Sequence, residues 1–336
     1  MTKTINIGFV GCGANARGHM EALEKMDDAR VCVVCDVAEE SARSAAELTG
    51  AEATTKLDRL LARDDLHAVY LSLPVFAHGE PELAVIRRGL PFFVEKPVAR
   101  TMATARRIAA EVQRSDLLTC VGYQLRYGAG TTAARTALED HTIGLIVGQY
   151  WSGTGRGDRN RWTMQYEKSG GQILEQATHT FDMMRYLCGE VTRVSAHRAN
   201  RQLHDIDCAD VHVVALTFAS GALGSMTTTW AYDPSDWSHA NILHITYADH
   251  VLRWTADATT RCGGGETREL TAEDACIDRV FIDAVRSGDR SAILSPYDDA
   301  VKSLELCLAI NESAENDGKP VTLTPPSPPP GPGLTA

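Results

Sequence analysis

Short apolar runs alternate with amphipathic stretches through the first third of the chain. Such runs are typical of strands that are buried on both faces, and the stretches between them have helical spacing. The runs lie at residues 5–10, 31–36, 68–74, 91–94 and 117–121. A regular alternation of strands and helices predicts a parallel sheet, with ligands bound at the carboxyl ends of its strands.

The second half of the chain has a different pattern, in which strand-like runs follow one another without helices between most of them. These runs lie at residues 143–152, 191–199, 209–218, 222–230, 241–247 and 251–255. Ala219-Ser220-Gly221 separates two of them, as in a hairpin. Residues 273–287 and 298–316 have the pattern of helices.

Length and this change of pattern together predict two domains. A chain of 336 residues exceeds what one hydrophobic core usually serves. We place the domains at residues 1–122 and 123–324. Residues 325–336 are rich in proline and glycine and cannot build a core, so we expect a mobile tail.

A glycine-rich loop follows the first apolar run and opens the first helix. Gly11 permits a tight turn, Gly13 permits close approach of a pyrophosphate, and Ala16 permits close packing of the helix on the strand. This spacing is a variant of the dinucleotide-binding fingerprint. With the loop residues Ala14 and Asn15, it predicts a phosphate site at the helix N-terminus.

Asp36 ends the second strand, where an acidic residue holds the ribose 2′-hydroxyl of a dinucleotide. Its carboxylate would repel a 2′-phosphate, and the next four residues offer no cation. Arg43 is the nearest basic side chain. The sequence therefore favours NAD over NADP as the cofactor.

Two further segments lie at the ends of predicted strands and are expected to contact the cofactor. Pro74 and His78 belong to the loop after the third apolar run, and Glu95-Lys96 follows the fourth. A lysine just outside a buried strand and beside a cofactor can donate to a substrate oxygen. A surface salt bridge is the alternative role for Lys96.

Residues 170–182 have a helical pattern with a separate polar stripe that includes Glu175 and His179. In one continuous helix these two side chains are four residues apart, so the carboxylate can contact the imidazole. Such a carboxylate fixes the tautomer of a histidine and raises its basicity, which suits proton transfer. A solvated polar face is the alternative interpretation of this stripe.

Composition and charge narrow the class of protein. A net charge of −11 disfavours nucleic acid as a partner, and no apolar run approaches the length of a membrane span. We recognise neither a signal peptide nor a metal-ligand spacing, so we expect no membrane partner and no metal site. The nine scattered cysteines suit reduced thiols in the cytoplasm.

The glycine loop, Glu95-Lys96-Pro97 and the stretch with Glu175 and His179 occur in an order and spacing that resemble the Gfo/Idh/MocA family of oxidoreductases. The resemblance covers nearly the whole chain. It implies an α/β protein with an N-terminal Rossmann domain and a C-terminal α/β domain whose open sheet is mostly antiparallel. Through that sheet, it implies a homodimer or homotetramer.

The resemblance also implies that Lys96 and His179 contact the reacting hydroxyl or carbonyl group. Inositol dehydrogenase-type members have Asp where this chain has Glu175, so the identity of the substrate does not transfer. We expect Glu175 to orient His179. Gln124, Arg126 and Trp162 are candidate substrate contacts in the second domain, with a surface loop as the alternative role for Trp162.

Three functional hypotheses follow. The first is an NAD-dependent dehydrogenase of a sugar, polyol or sugar derivative. The second keeps the cofactor but cleaves a glycosidic bond through transient oxidation, so that NAD is not consumed. The third is a non-catalytic sensor of NAD and sugar, which the presence of both Lys96 and His179 disfavours.

Overall fold

The N-terminal domain is built on a six-stranded sheet. A computed structural model describes residues 4–236 and 239–323 of the chain. The strands of this sheet are β1 (Ile5–Val10), β2 (Ala29–Cys35), β3 (Glu52–Thr54), β4 (Ala68–Leu71), β5 (Phe92–Val94) and β6 (Thr119–Val121). Its helices are α1 (Ala14–Leu23), α2 (Glu39–Thr49), α3 (Leu57–Leu61), α4 (Glu80–Arg87) and α5 (Met102–Arg114).

All pairs in this sheet are parallel, and the strand order is β3-β2-β1-β4-β5-β6. The order reverses at β1, which lies between β2 and β4. At such a point the connections leave to opposite sides, and a crevice opens beyond the carboxyl ends of the strands. The predicted Rossmann domain is confirmed.

The second domain contains a nine-stranded sheet in the order β14-β13-β12-β11-β7-β10-β9-β8-β15. The strands are β7 (Ile143–Trp151), β8 (Val191–Ala199), β9 (Val211–Phe218), β10 (Leu223–Thr229), β11 (Ile242–Tyr247), β12 (His250–Trp254), β13 (Thr259–Gly263), β14 (Glu266–Leu270) and β15 (Val321–Thr322). Within the described residues, only β7 and β10 pair in parallel. The predicted mostly antiparallel sheet is confirmed.

One face of this sheet is covered by helices that position the candidate site. The helices after β6 are α6 (Ala129–Leu138), α7 (Tyr166–Ser169), α8 (Gly171–Glu175), α9 (Thr178–Cys188), α10 (Ile277–Ser287) and α11 (Tyr297–Glu315). Met184 of α9 lies over Gly148 and Gly224, where an added Cβ would be in ordinary contact with Met184 atoms, at 3.4 Å. At Gly148 the Cβ would lie 2.8 Å from Met226, and at Gly224 it would lie 2.9 Å from Phe218, so both positions favour glycine because of side chains of the sheet itself.

Helix α10 follows the second sheet in the chain but packs on the first. Phe281 makes edge contacts with Tyr70 and Phe93, at ring-centroid distances of 5.4 and 5.9 Å. All three rings are buried. This apolar contact holds α10 against the N-terminal domain, because burial of aromatic area is a major stabilising contribution.

Two predictions concern other parts of the chain. The proline-rich segment at residues 325–336 lies outside the described residues. Within the part of the chain that the structure describes, no helix has the length and apolar character needed to cross a membrane.

Candidate active site

The glycine loop connects β1 to α1 and has the backbone geometry that a dinucleotide site requires. Gly11 has φ of +89°, and a Cβ there would lie 2.1 Å from the carbonyl oxygen of Ser72. Gly13 faces open space, where a Cβ would meet no atom within 4 Å. No side chain caps α1, and its first turn contains no acidic residue, so its N–H groups remain available to an anion.

Asp36 stands at the end of β2 beside this loop. Its carboxylate accepts hydrogen bonds of 2.9 Å from the backbone N–H groups of Cys12 and Ala38, one on each oxygen. A carboxylate oxygen can accept more than one hydrogen bond, so Asp36 retains capacity for ribose hydroxyls. The contact with Cys12 also fixes the loop relative to β2.

A cleft runs from the glycine loop to the second domain and gathers most of the predicted site residues. Its lining residues are Gly13, Ala14, Asn15, Ser72, Leu73, Pro74, Val75, Glu95, Lys96, Arg161, Trp162, Thr163 and Glu175. The open space at Gly13, the uncapped α1 and the free lone pairs of Asp36 fit a dinucleotide. The cleft would thus hold its reactive end between the two domains.

The helix predicted over residues 170–182 is in fact two helices, α8 and α9, because the helical conformation is interrupted at Gln176. The amide of His179 bonds the carbonyl of Gln176, at 3.2 Å, rather than that of Glu175. The carbonyl oxygen of Glu175 is thereby released from helical bonding and accepts a 2.9 Å hydrogen bond from Lys96 Nζ. The break therefore anchors the candidate catalytic lysine.

His179 is the second residue of α9 and is held in its neutral form. Burial, and then the positive charge of Lys96, lower the pKa of His179 well below its usual value. Its ring stands edge-on to Tyr123, with centroids 6.1 Å apart, and its Nδ1 is buried without a hydrogen-bond partner in the described structure. A neutral imidazole beside an ammonium group can accept a proton from a bound alcohol.

The expected contact between Glu175 and His179 is not formed. Glu175 ends α8, and its Oε2 is buried with no hydrogen-bond partner among the described residues. The helix break explains the difference, since four-residue spacing places side chains together only within one helix. Burial raises the pKa of Glu175, against the opposing charges of Lys96 and Arg161.

Behind Lys96, His19 of α1 lies between two carboxylates. Its Nδ1 is 2.7 Å from Asp278 Oδ1 of α10, and its Nε2 is 2.9 Å from Glu95 Oε1. The second carboxylate oxygen of Glu95, Oε2, accepts a 3.1 Å hydrogen bond from the backbone N–H of Lys96. Burial opposes a charge on His19, but its bonds to Asp278 and Glu95 outweigh burial and raise its pKa to about 10.

Arg126 is not a substrate contact in this structure. Its guanidinium binds both oxygens of Asp182, at 2.8 and 2.6 Å, and also the Leu294 carbonyl and Asp299. The residue is 2% exposed. Arg126 therefore joins the segment after β6 to α9 and α11, and these ion pairs favour a structural role over the predicted contact with the substrate.

The remaining candidates differ in their position. Trp162 is half-buried, lines the cleft and stands edge-on to Phe76, with centroids 5.8 Å apart. Gln124 is exposed and does not line the cleft. His78 bonds Glu82 at 2.6 Å, and its buried Nε2 has no partner in the described residues. Its contact with a cofactor stays a prediction.

His19 is not among the site residues predicted from the sequence. One signal could have found it: His19 is three residues after Ala16, which packs α1 on the sheet, so both lie on the same side of the helix. A polar side chain on the sheet-facing side of a helix requires a partner. The partners, Glu95 and Asp278, are distant in sequence and could not be identified from spacing.

Family models match both domains. Residues 5–123 match an oxidoreductase family with an NAD-binding Rossmann fold, and residues 131–246 match the GFO/IDH/MocA C-terminal domain. The chain belongs to the Gfo/Idh/MocA family. Membership confirms the resemblance found from the glycine loop, Lys96 and His179, and it identifies the first domain as the NAD-binding domain of an oxidoreductase.

Individual relatives match between two thirds of this chain and nearly all of it. Myo-inositol 2-dehydrogenase of Thermotoga maritima is 28% identical over 331 residues, covering 93% of this chain and 96% of the relative. Inositol 2-dehydrogenase of Rhizobium meliloti is 29% identical, over 68% of this chain and 71% of the relative.

A solved structure of levoglucosan dehydrogenase with NADH and levoglucosan superposes on the fold of this chain. Its TM-score is 0.84 and its identity is 21%, over 95% of this chain and 99% of that one. At this identity the similarity concerns the fold alone.

Replacing Arg126 with Met should destabilise the protein by about 3 kcal/mol, because removal of one partner leaves buried carboxylates without compensation. Gln124→Ala, a change at a neighbouring exposed position, should leave stability unchanged. Urea unfolding of both variants measures the difference. An unchanged unfolding midpoint with a raised KM for substrate would return Arg126 to the substrate site.

The His19 network should make stability depend on pH on the alkaline side. A histidine with a pKa of about 10 when folded and 6.5 when unfolded stabilises fully below about pH 6.5, and this stabilisation declines as pH rises towards 10. His19→Gln should therefore differ most from the parent protein at pH 6 and least at pH 10. Chemical unfolding at several pH values measures this. A constant difference would show that His19 is uncharged.

Proposed function

We propose that this protein is an NAD-dependent oxidoreductase that transfers hydride between nicotinamide and a hydroxyl-bearing carbon of a sugar, polyol or sugar derivative. The observation that carries the proposal is the neutral His179, which lies close enough to the Lys96 ammonium of the cleft for that charge to lower its pKa. The His179 imidazole can remove the proton of a substrate hydroxyl, and the Lys96 ammonium can stabilise the oxygen that loses the proton. Oxidation of an alcohol needs both.

Lys96 holds the substrate oxygen in this proposal. An ammonium group has three donors, and one of them is taken by the Glu175 carbonyl oxygen. The others can donate to a substrate hydroxyl and to the alkoxide that develops from it. The Glu175 carbonyl belongs to the second domain and Lys96 to the first. This bond therefore also fixes the position of one wall of the cleft relative to the other.

His179 is the proton acceptor in this proposal. Its depressed pKa keeps the ring neutral at physiological pH, so the ring is ready to take the hydroxyl proton. When bound, NAD supplies the hydride acceptor. Glu175 lies at the same cleft but does not bond the imidazole, so we assign it to the substrate or to the charge balance of Lys96 and Arg161.

The class of substrate rests on the relatives. Two of them, 28% and 29% identical, are named for oxidation of inositol. NAD rather than NADP is supported by the Asp36 carboxylate at the ribose position. All nine cysteines are free, which fits a reducing cytoplasm as the location.

Lys96→Ala and His179→Ala should each lower kcat at least about a hundredfold, since each removes a group that acts on the substrate oxygen. Binding of NAD to the His179→Ala variant, measured by calorimetry, should change little. Lys25→Ala, an exposed lysine of the same domain, is the control. In the pH profile of kcat for the parent protein, the acid limb should lie below pH 6.5, because protonation of His179 at low pH removes the base. Full turnover in both variants would contradict the mechanism.

We also propose a homo-oligomer formed through the second sheet. One face of that sheet exposes Leu145, Val147, Val213, Leu223 and Val251. Leu145 and Leu223 are register partners, so these two exposed apolar side chains lie side by side. Apolar side chains grouped on one face of a sheet mark an interface, and a second copy can supply a self-complementary partner.

Charge on this face should dissociate the assembly. The double variant Val213→Lys with Leu223→Lys is expected to sediment as a monomer at concentrations where the parent protein is a dimer or tetramer, because burial of two ammonium groups is unfavourable. Leu48→Lys, at an exposed position of α2, should leave the assembly unchanged. A monomeric parent protein, or an unaffected double variant, would contradict this surface assignment.

A further inference from the structure

Gln176 occupies the break between α8 and α9. Its backbone angles, φ −122° and ψ −48°, lie outside the helical region. It directly follows Glu175, which lines the cleft, and precedes His179 by less than one helical turn. The side chain is half-exposed. The same break that releases a carbonyl to Lys96 therefore also presents this amide.

The amide oxygen of Gln176 is surrounded by four hydrogen-bond donors. Thr154 Oγ1 lies at 2.8 Å, Tyr150 OH at 3.1 Å, Trp230 Nε1 at 3.2 Å and Ser152 Oγ at 3.3 Å. An indole nitrogen can only donate, so the group facing Trp230 must be the oxygen. The orientation of the Gln176 amide is thus fixed by chemistry.

The amide nitrogen of Gln176 therefore points away from this cluster. It makes no hydrogen bond with the described residues, and it is not among their enclosed polar atoms that lack a partner, so it remains open to solvent. Tyr150, Ser152 and Trp230 are buried. The buried donors hold the oxygen from below, and the two N–H donors are presented outward.

The cluster also has a surplus donor. A carbonyl oxygen has two lone pairs, whereas four donors approach this one. Of the hydroxyl groups, that of Thr154 belongs to a half-exposed residue. Thr154 can turn its hydroxyl to a ligand while Trp230 and Tyr150 keep the amide in place.

We propose that Gln176, with Thr154 beside it, forms a subsite that binds an oxygen of the substrate other than the one that is oxidised. The ligand is a cyclic polyol or sugar, whose ring carries several oxygens, and the subsite recognises a hydroxyl or ring oxygen as a hydrogen-bond acceptor. This assignment rests on the proposed function, since it takes Lys96 and His179 as the place of oxidation. A simple alcohol with one oxygen cannot use the subsite.

A purely structural role for Gln176 would need fewer polar groups than its side-chain amide supplies. A side chain that only satisfied Trp230 would require one acceptor and no outward donor, and burial would serve it better than half exposure. The fixed N–H groups, one residue along the chain from the cleft-lining Glu175, are instead what a polar ligand needs, because a fixed donor loses little entropy on binding. Gln176 thereby contributes specificity, and the hydride transfer itself depends on other residues.

The test uses two variants of the full-length protein with myo-inositol and a panel of hexoses as probes. Gln176→Glu keeps an oxygen for the Trp230 cluster but replaces the outward donor with an acceptor. Gln176→Met keeps the length of the side chain and removes both the outward donor and the oxygen that accepts from the Trp230 cluster. Loss of one hydrogen bond should raise KM for the best probe about tenfold, with kcat changed less than about twofold.

Two measurements separate binding from stability. Calorimetric titration of the polyol into the NADH complex should show the same tenfold weakening, while the affinity for NADH itself stays constant. Gln113→Glu, at an exposed position of α5, is the matched control and should behave as the parent protein. A thermal melt of each variant shows whether the cluster is intact.

The outcomes distinguish the two proposals. If the parent protein reduces NAD with none of the probes, the proposed function fails. If it reduces NAD with a polyol but both Gln176 variants retain the parent KM and polyol affinity, the function stands and the subsite assignment is overturned. A lower melting temperature without a change in KM would likewise overturn it and leave Gln176 a structural residue.

Discussion

The hydrogen bond between the Lys96 ammonium and the Glu175 carbonyl oxygen joins the two domains at the candidate active site. A continuous helix would use that carbonyl internally, so the bond exists because α8 ends at Glu175 and α9 begins at Thr178. Gly170 and Gly171, with φ near +75°, start the segment, and the packing of Met184 on sheet glycines holds α9 in place. The position of the lysine therefore depends on the fold of both domains.

Charges on either side of Lys96 are arranged differently. Behind it, the imidazolium of His19 bridges Glu95 and Asp278, which connects the dinucleotide helix to α10. In front of it, burial and the lysine charge keep His179 neutral. The two histidines thus favour opposite protonation states, because His19 is bonded to two carboxylates and His179 is not. The first stabilises the backbone of the site, and the second is free to accept a proton.

Local patterns predicted most of the fold. The strand at Val191–Ala199 has the bounds predicted from the sequence, since its apolar spacing is regular. The glycine loop, Asp36 and Lys96 could be found because backbone geometry limits the residues at those positions. The break at Gln176 could not, because residues 170–182 keep helical spacing on both sides of it.

Tertiary partners explain the remaining errors. From its place in the sequence, Arg126 resembles a cleft residue. In the folded protein it is bonded instead to the carboxylates of Asp182 and Asp299, which lie on helices far along the chain. Gln176 has no sequence signal either, since its four donors come from two strand ends and a loop. Side chains whose roles depend on distant partners are the ones that spacing alone does not identify.

The measurement that tests the central claim most directly is absorbance in the reduced-nicotinamide band. Purified protein would be mixed with NAD and a panel of inositols and sugars, and the products would be quantified. Net oxidation predicts that reduced nicotinamide accumulates mole for mole with the oxidised product of one polyol. Consumption of a glycoside without accumulation of reduced nicotinamide, or no turnover despite NAD binding, would contradict a net NAD-dependent dehydrogenase.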